Sequence, residues 1–194
     1  YLNSNQNYLE IDLTPNRPDC MSHVGVAREI AVKTGQKLKY SYANSLDYKK
    51  NKVADIVTIN VEDKESCPRY VAGVVKNINV DSSPDWMKDM LTSAGQRSIN
   101  NIVDISNYVL LEMGHPTHIF DYDKLPSQTV GIRKSKKGES VISLDQEKRK
   151  LIDQLVITDG KKPIAIAGVM GGSDSAVTDK TKNVLIESAY FDPI

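Results

Sequence analysis

Three groups of residues have types and spacings that bear on chemistry. The first is Glu187, a single acid in the apolar run Val184-Leu185-Ile186-Glu187-Ser188-Ala189-Tyr190-Phe191. Strand alternation puts Glu187 on one face with Leu185 and Ala189, while Ile186 and Ser188 point the other way. A carboxylate so placed either faces solvent or sits buried with a defined partner, and its apolar face-mates favour a lined pocket. The second group is the segment Asn107-Tyr108-Val109-Leu110-Leu111-Glu112-Met113-Gly114-His115-Pro116-Thr117-His118-Ile119-Phe120-Asp121. Asn107 lies two turns before a Gly/Pro break, with His115 and His118 beyond it. An H-x-x-H pair lacking acidic or Cys partners at ligand spacing is a weak metal signature. A hydrogen-bonded histidine packed under a turn is the plainer reading of His118. The third group is Ala165-Ile166-Ala167-Gly168-Val169-Met170-Gly171-Gly172. Such small residues either admit a close neighbour or form a plain hairpin turn, and the turn is the simpler reading. Neither G-x-G-x-x-G nor G-x-x-x-x-G-K occurs, so nucleotide-phosphate chemistry within this chain is not expected.

Composition narrows the classes. The 194 residues carry 25 Lys+Arg against 25 Asp+Glu, a formal charge of zero, with 40% hydrophobic and 26% charged residues. That is the balance of a globular protein, not of a basic nucleic-acid clamp. No apolar run approaches the ~20 residues of a membrane span. Cys20 and Cys67 stand far apart with no CxxC pair, which argues against a zinc site or a disulfide scaffold and fits a reducing compartment. Basic residues cluster at Arg133, Lys134, Lys136 and Lys137 and again at Lys148, Arg149 and Lys150. They are either solvating charges at turns or a modest phosphate-contacting edge. Tyr1 and Ile194 give both ends the look of a segment cut from a longer chain.

The elements that position these groups are legible in outline. Residues 19–34 read as a helix capped by Asp19 or Ser22, with Val24, Ala27, Ile30 and Ala31 as its apolar stripe and Gly35 as its stop. The segment before it carries Pro15 and Pro18 and does not suit a central strand. Residues 36–54 are polar and read as a linker, with a domain boundary near 45. Alternation predicts strands at 55–61, where Val57, Ile59 and Val61 share a face, and at 70–75. Ser83-Pro84-Asp85 starts a helix whose buried face is Trp86, Met90 and Leu91, ending at Gly95. A second helix carries Ile99, Ile102, Val103, Val109, Leu110 and Met113 as its stripe and ends at Gly114. Its opposite side, with Asn100 and Asp104, reads as solvent-facing. Short strands follow near 129–134, 141–144, 155–158, 163–169 and 184–190. Turns are expected at Lys137-Gly138, Asp159-Gly160 and Gly171-Gly172. The fold class is α+β, a β-rich layered sandwich with several helices; alternating strand–helix units are absent, so a doubly wound sheet is not expected.

Taken in order, several words resemble the β subunit of bacterial-type phenylalanyl-tRNA synthetase. They are Leu9-Glu10-Ile11-Asp12-Leu13-Thr14-Pro15-Asn16-Arg17-Pro18-Asp19-Cys20, Gly25-Val26-Ala27-Arg28-Glu29, Arg97-Ser98-Ile99-Asn100-Asn101-Ile102-Val103-Asp104, the Asn107–Asp121 segment, and Gly168-Val169-Met170-Gly171-Gly172 through Glu187-Ser188-Ala189. The resemblance implies that residues 1–45 are the tail of a small helical domain plus linker. Residues 46–194 would be an editing domain, truncated at its C-terminus, that hydrolyses the ester of tRNA(Phe) mischarged with tyrosine. By the same resemblance Glu187 matches the acid that reads the tyrosine hydroxyl, and His118 matches a pocket histidine near the scissile ester. Asn107 and Ser106 match a polar pair lining the amino-acid site, Ser106 standing where threonine is usual. Gly171 matches a glycine that leaves room for the ligand, and Pro116 and Arg97 match supporting positions.

The implied partners are the tRNA(Phe) acceptor end and a catalytic α subunit, in a heterotetramer of two α and two β chains. The implied setting is cytoplasmic. No cofactor is expected within this chain, ATP and magnesium serving the full ligase elsewhere. Two rival readings remain: a structural, tRNA-positioning domain without catalysis, and a metal-dependent hydrolase built on His115 and His118.

Overall fold

The computed structural model describes residues 10–40 and 52–193. The boundary expected near 45 lies outside the described residues. The chain divides into two compact units. One carries the three α-helices described, and the other carries all the described strands. This is the α+β class that the sequence indicates.

The helical unit contains α1 (His23–Thr34), α2 (Asp85–Ser93) and α3 (Asn101–Met113). A single 3-10 turn at Pro18–Cys20 precedes α1, so the helix expected from residue 19 begins four residues later, at the Ser22 cap. The Ser22 hydroxyl accepts from the Gly25 amide at 3.0 Å, satisfying one orphan donor of the first turn. Gly25 has a packing reason as well: a Cβ there would lie 1.8 Å from the Asp19 carbonyl oxygen. Gly35, at φ 68°, closes the helix in the left-handed region. The expected stripe is only partly buried: Val24 is inside, whereas Ile30 is 56% exposed. In α2, Met87 and Leu91 are buried and Trp86 is exposed, its ring meeting Tyr108 edge-on at 5.5 Å.

The solvent-facing reading of the polar side of α3 fails at Asp104, which is fully buried. Its carboxylate accepts from Ser83 Oγ at 2.5 Å, Ser98 Oγ at 2.6 Å and the Ile99 amide at 2.8 Å. Burial alone would raise its pKa, but these donors outweigh burial and leave it below the ordinary value. Asn100 is the N-cap, accepting from the Ile102 and Val103 amides at 3.1 and 3.0 Å. Ile99 therefore lies outside the helix, exposed rather than in its stripe.

The strand unit is a sandwich. One sheet has the order β1 (Thr58–Val61), β4 (Thr129–Lys134), β7 (Leu155–Thr158), β8 (Pro163–Ile166), β9 (Met170–Gly171). The other has β2 (Arg69–Lys76), β10 (Asn183–Tyr190) and β3 (His118–Asp121), and β5 (Ser140–Ile142) pairs with β6 (Lys148–Lys150). All pairings are antiparallel except β1 with β4. Val130, Ile132, Ile157, Ile164 and Ala165 from the first sheet meet Phe120 and Leu185 from the second in one buried core. Strands β3, β6 and β9 were not apparent in the sequence; each is only two to four residues long, too short for alternation to register.

Candidate functional site

β10 is the middle strand of its sheet, so its backbone is held from both sides. Glu187 stands opposite Ala72 of β2 and opposite His118 of β3. The neighbouring pair Leu185–Phe120 lies two residues along, on the same face. That face is the core side, which is why Glu187 is only 5% exposed. The solvated alternative for Glu187 is thereby overturned. Its Oε2 accepts from the Tyr70 hydroxyl at 2.7 Å. Burial pushes the Glu187 carboxyl up to about 7, the Tyr70 bond pulling the other way. Near neutrality it is therefore held in both protonation states. The Tyr70 phenol, buried beside that carboxylate, is raised well above its ordinary range.

His118 packs its ring edge-on against Phe120, with centroids 4.4 Å apart. Its Nε2 is buried and has no hydrogen-bond partner, so the hydrogen-bonded core histidine expected from sequence is not found at this nitrogen. Burial lowers its pKa to about 4, leaving a neutral imidazole at pH 7. Gly171 lies against that ring. A Cβ at Gly171 would fall 2.4 Å from His118 Cε1 and 2.7 Å from Nε2. A Cβ at Gly172 would fall 2.3 Å from the Ile164 carbonyl oxygen. The Gly-Gly pair is thus a place of close approach, not the expected hairpin turn. Glu187, His118, Gly171 and Tyr70 together make a buried polar site in an apolar frame.

The remaining residues named from sequence, Arg97, Ser106, Asn107 and Pro116, belong to the helical unit. Ser106 and Asn107 are half-buried on α3, and Arg97 and Pro116 are exposed. The Ser106 hydroxyl donates to the Thr117 carbonyl at 2.9 Å, tying α3 to the segment that leads into β3. Tyr70 escaped the sequence reading. Its place on a strand was expected, but its partner lies 117 residues away, beyond the reach of any local pattern.

Metal binding finds little to work with among the described residues. Neither His115 nor His118 belongs to a cluster of three donors; the group that does is Asp19, Cys20 and Glu29. Arg17 already serves it, pairing with Asp19 at 2.8 Å and Glu29 at 2.7 Å, so a guanidinium supplies the positive charge.

The B3/4 domain family model matches residues 66–194, a range that holds every residue just described for the site. The chain belongs to the B3/4 domain family. The strands from β2 onward and the polar site of β2, β3, β9 and β10 therefore lie within the matched B3/4 range, whereas β1 precedes it. The chain is similar to the phenylalanine–tRNA ligase β subunit of Protochlamydia amoebophila, 50% identical over 188 residues, covering 95% of this chain and 23% of that protein. It is likewise similar to that of Bacillus cereus, 49% identical over 191 residues, covering 98% of this chain and 24% of that protein. The chain spans about a quarter of the length of these curated relatives. Among solved structures, it resembles a crystallised N-terminal fragment of the phenylalanyl-tRNA synthetase β subunit from Pyrococcus horikoshii, with a TM-score of 0.54 and 21% identity, covering 92% of this chain and 54% of that one. That likeness is one of fold.

Proposed function

We propose that this B3/4 domain hydrolyses the ester of tRNA(Phe) mischarged with tyrosine, as part of a cytoplasmic phenylalanine–tRNA ligase whose catalytic α subunit and ATP site lie outside this chain. The observation that carries the reading is Glu187, a buried carboxyl on the core face of its strand, paired across β10 and β3 with His118. Tyrosine differs from phenylalanine by one hydroxyl, which an apolar pocket rejects poorly. A site built to hydrogen-bond the hydroxyl instead selects for it, because the ligand lacking it leaves a buried polar group unsatisfied at about 1–3 kcal/mol.

Tyr70 refines this account. It engages one oxygen of Glu187, and the other oxygen makes no bond to any described residue. That second oxygen is the one a substrate phenol would meet. The carboxyl, poised near 7, accepts the phenol proton when ionised and donates to the phenol oxygen when protonated.

His118 has a role suited to its depressed basicity. An imidazole with a pKa of about 4 is a weak base at neutral pH. Its Nε2 is unbonded but closed off beside Gly171; once substrate entry parts that packing, it is proposed to accept a hydrogen bond from water and so orient the water, more readily than it strips a proton. An aminoacyl ester is already activated: a held water adds to the carbonyl carbon, the bond to the ribose oxygen breaks, and a proton of that water ends on the ribose oxygen, giving tyrosine and the free ribose hydroxyl. Asn107 and Ser106, with Arg97 and Pro116 in support, enter the proposal as amino-acid contacts on the sequence resemblance alone. No metal or cofactor takes part in this scheme.

Deacylation of Tyr-tRNA(Phe) and Phe-tRNA(Phe) by this chain, its Glu187→Ala variant and a C-terminally extended version tests the proposal. Tyrosine-selective hydrolysis that the variant loses supports it. Silence from both parent and extended chains favours a domain that positions tRNA without catalysis.

A further inference from the structure

A second, charged feature of the strand unit has no part in the scheme above. The β5–β6 ribbon and the loops beside it enclose a cleft of about 650 Å³. Lys136, Lys137, Lys148 and Lys150 line it, and none of the four forms an ion pair among the described residues. Alternation on β6 explains the arrangement. Lys148 and Lys150 sit opposite Ile142 and Ser140 on one face, roughly 6.6 Å apart along the strand at 3.3 Å per residue. Arg149 points the other way, held by Ser143 and Asp145.

The acids near the cleft do little to offset that charge. Glu139 on its wall is clamped by Arg133 through two bonds of 2.8 and 2.7 Å and accepts from the Lys136 amide at 2.7 Å. Arg133 is itself 7% exposed, so it is a structural clamp and not one of the solvating charges suggested by its sequence neighbours. Asp153 is the remaining acid on the wall, against four lysines. Ser135, on the same wall, has a buried hydroxyl with no partner. A turn at Gly138, with φ 85°, sets the lip between Lys137 and Glu139. A concave surface with net positive charge suits phosphate oxygens.

We propose that this cleft holds the phosphodiester backbone of RNA, through Lys136, Lys137, Lys148 and Lys150. The choice of RNA over a free anion rests on the tRNA reading given above. The chain as a whole carries no net charge, so general attraction to nucleic acid is weak and such contacts must be local.

The test measures binding of uncharged tRNA(Phe) to the protein and to Lys148→Gln/Lys150→Gln across about 50–200 mM salt. Lys161→Gln/Lys180→Gln, two exposed lysines of the same unit, is the control with an equal charge change. The cleft variant should bind several-fold more weakly, with a salt slope shallower by about 1–2, and the control should match the parent. The cleft residues are exposed, and thermal unfolding of each variant confirms the fold. Equal weakening in both variants overturns the proposal, because it would reflect net charge alone. Unchanged tRNA binding with loss of inorganic triphosphate binding also overturns it, making the cleft a small-anion site. A parent without salt-dependent tRNA affinity overturns it too. Hydrolysis of a tyrosyl ester of adenosine, which has no backbone to reach the cleft, is followed in parallel. Its failure counts against the editing reading and leaves the salt slope to decide the cleft.

Discussion

The Tyr70 hydroxyl and the Glu187 carboxylate form a 2.7 Å hydrogen bond between adjacent strands, from residues 117 apart in the chain. The bond favours the ionised carboxylate, against the effect of burial. Tyr70→Phe should therefore move the Glu187 titration upward, as read by carboxyl-region infrared or NMR. A bond to a charged group contributes about 1.5–3 kcal/mol. The stability loss on urea unfolding should accordingly be larger at pH 8 than at pH 5. An unmoved titration would remove Tyr70 as the partner that governs this acid.

Gly171→Ala should be disproportionately costly for so small a change. The new methyl group would overlap the His118 ring, and overpacking of this kind costs typically about 1–3 kcal/mol. Hydrolysis of Tyr-tRNA(Phe) should fall further than stability does, read by deacylation beside urea unfolding. Parent-like hydrolysis by Gly171→Ala would show that the close packing of Gly171 on His118 has no part in the reaction.

Two opposed proton linkages meet at this site. The folded pKa of Glu187 is raised from 4.5 to about 7, so the native state holds the extra proton and loses stability as pH climbs from about 4.5 to 7. His118 is depressed from 6.5 to about 4, so the native state loses stability as pH falls from about 6.5 to 4. Each shift corresponds to roughly 3 kcal/mol at 1.36 kcal/mol per unit, and between about pH 4.5 and 6.5 the two nearly cancel. Glu187→Gln should unmask the histidine: its stability should rise with pH across that window while the parent curve stays flat. A mutant curve as flat as the parent's would refute the pairing.

Asp104→Asn addresses the helical unit. The amide keeps the size of the carboxylate but presents N–H groups to donors, leaving part of the Ser83, Ser98 and Ile99 set unsatisfied. A loss of about 1–3 kcal/mol is expected by chemical denaturation at pH 7. The parent should lose this contribution as pH falls through the depressed carboxyl pKa, since the native state binds its proton less readily than the unfolded chain. A loss below about 0.5 kcal/mol would show that the network is inconsequential.

How much of this was legible in the sequence depended on distance along the chain. Alternation alone put Glu187 on the face of Leu185, and helix caps and stops at Ser22, Gly35 and Gly114 were local signals that the structure bears out. Asp104 was misread because its three donors arrive from the turns around α2 and α3, which a helical wheel does not contain. Gly171 was misread because its reason is the ring of His118, contributed by another sheet. Trp86 looked like core from its side chain, yet the buried face of α2 is the i, i+4 pair Met87 and Leu91.

The position of β10 between two partners also governs how the gene can vary. Side chains in a strand alternate with a period of two, and both flanking ladders fix which residues turn inward. A one-residue insertion or deletion between Thr181 and Glu187 reverses parity: Ile186 or Ser188 would face the core, and the acid would face away. Substitutions can be absorbed one at a time along this stretch, whereas length changes cannot. Natural indels should therefore collect in turns such as those at Gly138 and Gly160, and this segment should keep its length.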